Sequence, residues 1–289
     1  MKAGFVNIIG KPNAGKSTLL NALIGEKLAI VSSKVQTTRH RIRAFLNGPG
    51  YQIVFSDTPG IIEPEYKLHE KMMQAVKSSM LDADVSLLIA DLRDDLDKLD
   101  NLFGSVKLHI PSILVLNKAD LCNSNRIDET VQYFSKKSYG KNIVVISAAK
   151  KHHTDKLIDK IISLLPEGEP FFGEEDLTDM PTKFFAGEII REKIFDLFEQ
   201  EIPYQTAVLI QRFEEKNTLI KIVADIIVQR ESQKAILLGE GGSMIKKLGT
   251  TARIDLEGFL GSKVFLELFV KVRSNWRNDD LYLKEYGYV

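Results

Sequence analysis

Gly10-Lys11-Pro12-Asn13-Ala14-Gly15-Lys16-Ser17 follows an apolar run near the start of the chain and fits the pattern G-x-x-x-x-G-K-S/T. Such a loop turns successive backbone N–H groups toward phosphate at a helix N-terminus, where the peptide dipoles also favour an anion. Gly10 and Gly15 permit the close backbone approach, Lys16 would reach the β- and γ-phosphates, and the Ser17 hydroxyl would bind Mg²⁺. Ala14 and Thr18 belong to the same expected contact set. Asp57 ends a second apolar run, as a carboxylate on the Mg²⁺ side must, and Thr58-Pro59-Gly60 follows it. The Gly60 N–H is the natural sensor of a terminal phosphate. By itself this turn composition is common; its position behind the phosphate loop gives it meaning.

Two further motifs would read the base. In Asn117-Lys118-Ala119-Asp120, the Asp120 carboxylate can accept from guanine N1–H and the 2-amino group together, a donor pair adenine lacks. Asn117 would hold the loop and approach N7, and the Lys118 stem would cover the ring face. Ser147-Ala148-Ala149 would offer the Ala148 N–H to guanine O6. A site that leaves polar groups unpaired with the wrong base discriminates strongly, so ATP is disfavoured.

A nucleotide switch also needs a segment between the first two motifs that orders around the metal and the γ-phosphate. Residues 32–39 are polar and lack a core pattern. Thr38 is the first candidate there for a Mg²⁺ ligand and Thr37 the second, so Ser17, Thr38 and Asp57 form the expected metal set. Lys16, Thr38 and Gly60 are the residues expected to act on the reacting phosphate. Ile61 stands where Ras-type GTPases carry a water-orienting Gln, which points to slow hydrolysis unless charge comes from elsewhere. Asn13 is a candidate to help hold a monovalent cation against the phosphates.

A different chemistry follows in the last third. Gly239-Glu240-Gly241-Gly242 is a G-x-x-G loop, with Ile236-Leu237-Leu238 before it and Ile245-Lys246-Lys247-Leu248 after it. In a KH module this loop clamps a nucleic-acid backbone while a neighbouring groove reads single-stranded bases. Glycine N–H groups, the helix dipole, Lys246 and Lys247 all favour phosphate; Glu240 opposes it. Lys271, Arg273, Trp276 and Arg277 either extend this surface or form a solvated strand end with a packed Trp.

The elements that must position these residues are legible from hydrophobic period. Gly4–Ile9, Gln52–Ser56, Val85–Ala90, Ser112–Leu116 and Asn142–Ile146 read as buried strands, and Arg41–Leu46 as an edge strand. Between them, 17–24, 66–80, 95–107, 125–138 and 152–165 read as helices. Alternation of this kind predicts a mainly parallel α/β sheet with helices on both faces, and ligands at the carboxyl ends of its strands. All four nucleotide motifs follow a predicted strand. Residues 166–181 are acidic and broken by Pro and Gly, which reads as a linker. Beyond it, an amphipathic helix over 182–200, strands over 206–214 and 219–228, helices over 232–238 and 244–257 and a strand over 263–272 describe a small α+β domain. The expected division is 1–165, 166–181 and 182–289.

Composition agrees. The chain has 289 residues, 44% hydrophobic and 27% charged, with 39 Lys and Arg against 39 Asp and Glu. Charge is uneven, near +6 over 1–165, −6 over 166–181 and balanced beyond, so an RNA footprint must be a local patch. No apolar run reaches the roughly 20 residues of a membrane span. The N-terminus lacks a signal-peptide layout. A lone Cys122 fits a reducing cytosol.

Together these residues resemble the Era family of GTPases over essentially the whole chain. Beyond the nucleotide motifs, Gln36-Thr37-Thr38-Arg39-His40-Arg41-Ile42, Glu188-Ile189-Ile190-Arg191-Glu192-Lys193, Ile202-Pro203-Tyr204 and Gly287-Tyr288-Val289 are similar to that family. The related GTPases with two G domains would need a second phosphate loop, and none is present. The resemblance implies a P-loop GTPase domain followed by a KH-type RNA-binding domain, GTP/GDP and Mg²⁺ as ligands, and slow hydrolysis. It also implies K⁺ use by enzymes lacking the Gln, which suits Ile61 and Asn13. It further implies binding to the 3′ end of 16S rRNA during assembly of the 30S subunit, and a cytoplasmic protein with some peripheral association at the inner membrane. DNA is not an expected partner, and a monomer is expected. Where this chain has Glu240 the family usually has a basic residue. The alternative is an RNA-binding assembly factor or chaperone that holds nucleotide without significant turnover.

Overall fold

The computed structural model describes every residue except Ser33, Lys107, Asn217 and Val289. The parts of the loop 32–39, the turn 215–218 and the terminal 287–289 segment that fall on these positions lie outside the described residues. The chain forms two compact units. The first is Met1–Ala29, Thr38–Glu63 and Met72–Asp179; the second is Ile30–Thr37, Pro64–Lys71 and Met180–Val289.

In the first unit, strands β1 (Lys2–Ile9), β2 (Ile42–Gly48), β3 (Tyr51–Asp57), β4 (Val85–Asp91), β5 (Ser112–Asn117) and β6 (Ile143–Val145) form one sheet in the order β2-β3-β1-β4-β5-β6. All neighbours are parallel except β2 and β3, which run antiparallel. Every position of β4 is buried, as a strand covered on both faces requires. Helices α1 (Lys16–Ile24), α3 (Leu96–Ser105), α4 (Ser124–Ser135) and α5 (Thr154–Leu164) follow strands or their loops, while α2 (Lys67–Leu81) starts in a segment of the second unit. Leu88, Leu99, Phe103, Leu114 and Phe134 are among the buried residues of one core cluster. β1 lies between β3 and β4, so the order reverses there and leaves a crevice at the carboxyl end of β1, where the phosphate loop starts.

Residues 166–179, read from composition as a linker, instead pack on this sheet, running from the start of β1, where Ala3 N donates to Pro166 O (3.2 Å), to the antiparallel edge strand β2. Phe45 N donates to Leu177 O (2.9 Å) and Thr178 Oγ1 to Arg43 O (2.6 Å). Gln52 Oε1 accepts from Phe171 N (2.6 Å) and Phe172 N (3.1 Å), and the Phe172 ring stacks on Phe45 with centroids 3.8 Å apart. An exposed sheet edge is an aggregation liability, and this segment covers it.

The second unit contains α6 (Thr182–Leu197), α7 (Ile202–Gln205), β7 (Ala207–Lys216), β8 (Leu219–Val228), α8 (Glu231–Leu238), α9 (Ser243–Leu260), β9 (Val264–Val272) and α10 (Asp280–Glu285). Its sheet runs β7-β8-β9, antiparallel then parallel, with a bulge between Ile210 and Arg212. Ile190, Ile222, Ala252 and Leu256 pack on one side of a core continued by Ile194, Ile226, Leu237 and Leu248. α9 runs past the expected end at Glu257 because Gly258 remains helical and the left-handed Gly261 (φ 63°) ends it. α6 stops at Leu197, short of the expected Gln200, where Phe198 is extended. It buries Glu188, Arg191 and Glu192 as well as its apolar face.

Candidate nucleotide site and nucleic-acid interface

The phosphate loop needs two left-handed residues, Asn13 (φ 62°) and Gly15 (φ 100°), before α1 begins at Lys16. A Cβ on Gly15 would stand 2.3 Å from Asn117 Nδ2, and one on Gly60 would stand 2.6 Å from Pro12 N. Both positions are therefore closed to any side chain. Ile61 N donates to Gly10 O (3.3 Å), which holds the end of the Asp57 motif against the phosphate loop. The Ile61 side chain packs against the core cluster, so it faces apolar neighbours. Thr58 Oγ1 donates to Ile8 O (2.9 Å) and anchors this turn to β1.

Three oxygens converge beside Lys16. Ser17 Oγ donates to Asp57 Oδ2 (2.7 Å) and lies 2.8 Å from Thr38 Oγ1. Thr37 Oγ1 is turned away and donates to Lys34 O (2.8 Å), so the geometry selects Thr38 from the two candidates. Asp57 is fully buried, and its Oδ1 has no hydrogen-bond partner. Burial pushes its carboxyl up to about 6, against the opposing pulls of Ser17 and Lys16. Burial also pulls the Lys16 ammonium down to about 8, against the Asp57 charge. Lys16 Nζ meanwhile donates to Lys11 O (2.8 Å) and Gly10 O (3.3 Å). Each charge is desolvated beyond what its neighbours compensate, so an anion would relieve Lys16 and a cation Asp57. Among the described residues no group of three or more His, Cys, Asp or Glu could hold a metal. Two hydroxyls and one carboxylate suit Mg²⁺, which keeps its remaining positions for phosphate and water. The residues fit the group.

At the base end, Asn117 ties three motifs together. Its Nδ2 donates to Ala14 O (2.9 Å) and its Oδ1 accepts from Ala148 N (3.0 Å). The Ala148 N–H, expected to serve guanine O6, thus donates inward, and the Ala149 N–H is the candidate that remains on this loop. Ser147 Oγ donates to Asp120 Oδ1 (2.5 Å), aiming an exposed carboxylate. Lys118 takes a left-handed conformation (φ 65°) and reaches Asn13 O (2.7 Å) and the Asp91 carboxylate (2.8 Å). Asp91 lies outside the four nucleotide motifs, although it ends a buried strand just as Asp57 does. Burial would raise its carboxyl, but hydrogen bonds from Arg93 and Lys118 outweigh that and hold it far below the usual range.

In the second unit, Gly239 (φ 72°), Gly241 (φ 56°) and Gly242 (φ 80°) turn the chain from α8 into α9. Gly241, Glu240, Lys246 and Lys247 are exposed, and Gly239 and Gly242 half-buried. A Cβ at Gly239 would meet Met244 N at 2.8 Å. The more distant candidates divide. Trp276 is fully buried, donates to Gln205 O (3.1 Å) and packs on Tyr286, so it is core. Lys271 pairs with the buried Asp225 (2.7 Å), and the Arg277 guanidinium lies 4.1 Å over the Tyr66 ring. Arg273 N pairs with Val228 O (2.8 Å).

Comparison with known proteins bears on the family and the fold. The family described as 50S ribosome-binding GTPase matches residues 5–118, and the KH domain family matches residues 201–277. The GTPase Era of Geobacter metallireducens is 42% identical over 295 residues, covering 100% of this chain and 98% of that protein. A crystal structure of Era with MgGDPNP and nucleotides 1506–1542 of 16S ribosomal RNA superposes with a TM-score of 0.96 at 40% identity, covering 100% of this chain and 99% of that one. An Aquifex aeolicus Era variant bound to GDP·AlF₄⁻ gives 0.94 at 40% identity, covering 100% of both chains. With such identity across its full length and both family matches in order, the chain belongs to the Era family of GTPases.

Proposed function

We propose that this protein is a GTP-hydrolysing, RNA-binding switch that acts in assembly of the small ribosomal subunit. In this reading it binds the 3′ end of 16S rRNA through residues 182–289 and the nucleotide through residues 1–165. The observation that carries the nucleotide half is the convergence of Ser17, Thr38 and Asp57 beside Lys16, with one buried carboxylate oxygen left bare. Lys16 and the N–H groups from Asn13 to Thr18 hold the phosphates, and Gly60 senses the terminal one. Ser17, Thr38 and Asp57 hold Mg²⁺, which when bound supplies positive charge to the phosphate oxygens. Asn117, Lys118, Asp120 and the Ser147–Ala149 loop select guanine. With Ile61 turned to the core, no side chain at that position orients water, so intrinsic hydrolysis is slow and Asn13 is the residue to hold a K⁺ that speeds it.

The RNA half rests on the G-x-x-G loop between α8 and α9 and on the neighbouring structure solved with 16S rRNA. Gly239, Gly241, Gly242, Lys246 and Lys247 contact the RNA backbone, with Glu240 weakening that contact. The reading places the protein in the cytoplasm as a monomer; no helix among the described residues is long and apolar enough to cross a membrane. The test is a multiple-turnover GTPase assay in Na⁺ and in K⁺, with ATP as control. Slow GTP turnover, faster in K⁺ and absent with ATP, is expected. Turnover of neither nucleotide in either salt would leave a nucleotide-holding RNA assembly factor instead.

A further inference from the structure

Thr38 is the first residue of its segment in the first unit, and Thr37, one peptide bond away, ends a segment of the second. Within that second unit α6 holds residues 30–37 at three points. Val31 N donates to Glu192 Oε1 (3.0 Å). Lys34 Nζ donates to the carbonyls of Phe195 (2.5 Å) and Phe198 (2.6 Å), at the helix end where unsatisfied C=O groups favour a cation. Arg191 Nη2 donates to the Thr37 carbonyl.

The Arg191 contact is built with unusual care. The guanidinium is almost fully buried and is held by Glu188 through two parallel bonds, Nε to Oε1 (2.7 Å) and Nη2 to Oε2 (2.6 Å). Nη1 is buried with no hydrogen-bond partner, a loss that a purely structural site would avoid. A buried ion pair is also a poor stabiliser: apolar residues of similar volume often serve a fold as well or better. Stability alone therefore does not account for this pair. Geometry does. The Thr37 carbonyl oxygen and the Thr38 Cα lie in one rigid peptide plane, so fixing the oxygen fixes the atom from which the Thr38 side chain springs.

We propose that Arg191, oriented by Glu188, is a positioning residue that presents the Thr38 hydroxyl to the metal site and thereby favours the triphosphate-bound state over the diphosphate-bound one. The inference rests on the reading of Thr38 as a Mg²⁺ ligand. In this reading diphosphate binding uses the phosphate loop and the base motifs rather than the Thr38 hydroxyl, so the two nucleotides separate the effects.

The test uses the full chain and measures affinity for GDP and for a non-hydrolysable GTP analogue across a Mg²⁺ titration. Removing one partner alone would strand a buried charge, so the main variant replaces both, Glu188→Gln with Arg191→Met. Lys34→Met, which alters the same segment from its more exposed side, serves if that variant misfolds. Expected is about a tenfold loss of analogue affinity, within the usual range of coupling between sites, with GDP affinity held within twofold. Thr38→Ala should produce the same loss, and combining it with the Arg191 pair should add little, because both act on one hydroxyl. An unchanged GTP-to-GDP preference in the Arg191 variant, with Thr38→Ala still showing the loss, would overturn the positioning role. No loss in Thr38→Ala would instead overturn the reading of Thr38, and the proposal with it. Equal weakening of both nucleotides would show a merely structural pair.

Discussion

At the scale of single residues, function sits where the fold is least comfortable. Asp57 is shielded from water with one bare oxygen, and its carboxyl rises from 3.8 to about 6. At 1.36 kcal/mol per unit, ionising it in the ligand-free fold costs about 3 kcal/mol. Because the folded value lies above the unfolded one, Asp57 favours folding below pH 3.8 and loses that advantage as pH rises through about 6. Nucleotide-free Asp57→Asn should therefore be more stable than the natural protein at pH 7, by about 2 kcal/mol after allowing for an imperfect fit of the amide. The difference should close by pH 4, while Mg²⁺-dependent nucleotide binding is lost throughout. Urea melts of both proteins across this range check it, and a gap that ignores pH would refute the burial argument. Lys16 works in the opposite sense. Its lowered value makes it destabilising as pH falls through about 8, so around neutrality the protein without nucleotide carries both strains. A ligand bearing both charges removes both.

At the scale of elements, the turn from α8 to α9 decides how the second unit meets RNA. Gly239, Gly241 and Gly242 hold left-handed or related conformations that leave backbone N–H groups at the start of an eighteen-residue helix, and Glu240 sets a carboxylate among them. Glu240→Lys should strengthen binding of a single-stranded 3′-terminal rRNA oligonucleotide about five- to tenfold at low salt. It should also steepen the salt dependence by about 0.7 in the log–log slope, the value for one added contact to a single strand. Nucleotide affinity should not move; a variant that gained RNA affinity with an unaltered slope would show that the gain is not electrostatic. Most of this architecture could be read beforehand, because strands of buried Val, Ile and Leu alternate with helical spacing and each motif sits at a strand end. What escaped were elements whose signal is tertiary. Phe171 and Phe172 lay in a stretch that Pro, Gly and six acidic residues marked as a linker, and only the partners Phe5, Phe45 and Gln52 reveal it as an edge cover. α10 is capped by Asp279, which accepts from Leu281 and Tyr282 N–H, but six residues are too few to show a period. The partnership of Asp91 with Lys118 and that of Arg191 with Thr37 were not legible either, although the segment around Arg191 resembles the family, because the partners are remote in the chain.

At the scale of the whole molecule, two binding activities share one chain, and thermodynamics fixes how they must be related. If triphosphate binding changes RNA affinity by some factor, RNA must change triphosphate affinity by the same factor. A path exists in the covalent chain, since residues 30–37 belong to the unit that carries the G-x-x-G loop and residue 38 to the unit that carries the phosphate loop. A second crossing follows at 64–71, where Lys67 Nζ pairs with Asp280 (2.5 Å) and Tyr66 underlies Arg277. Both segments flank the Asp57 motif, so a ligand ordering Thr38 and Gly60 would bias the chain at both crossings. Coupling of this kind is commonly five- to 150-fold, about 1–3 kcal/mol. The prediction is therefore a pair of measurements: RNA oligonucleotide affinity with GDP or with a non-hydrolysable GTP analogue bound, and the affinities of both nucleotides with or without RNA. The two ratios should agree and differ from one by at least fivefold. In the Glu188→Gln, Arg191→Met variant both should shrink together, since that change releases the hold of α6 on the Thr37 carbonyl at the first crossing while leaving each binding surface intact. Ratios of one in the natural protein would separate the GTPase from RNA choice and leave hydrolysis to time some other step of assembly.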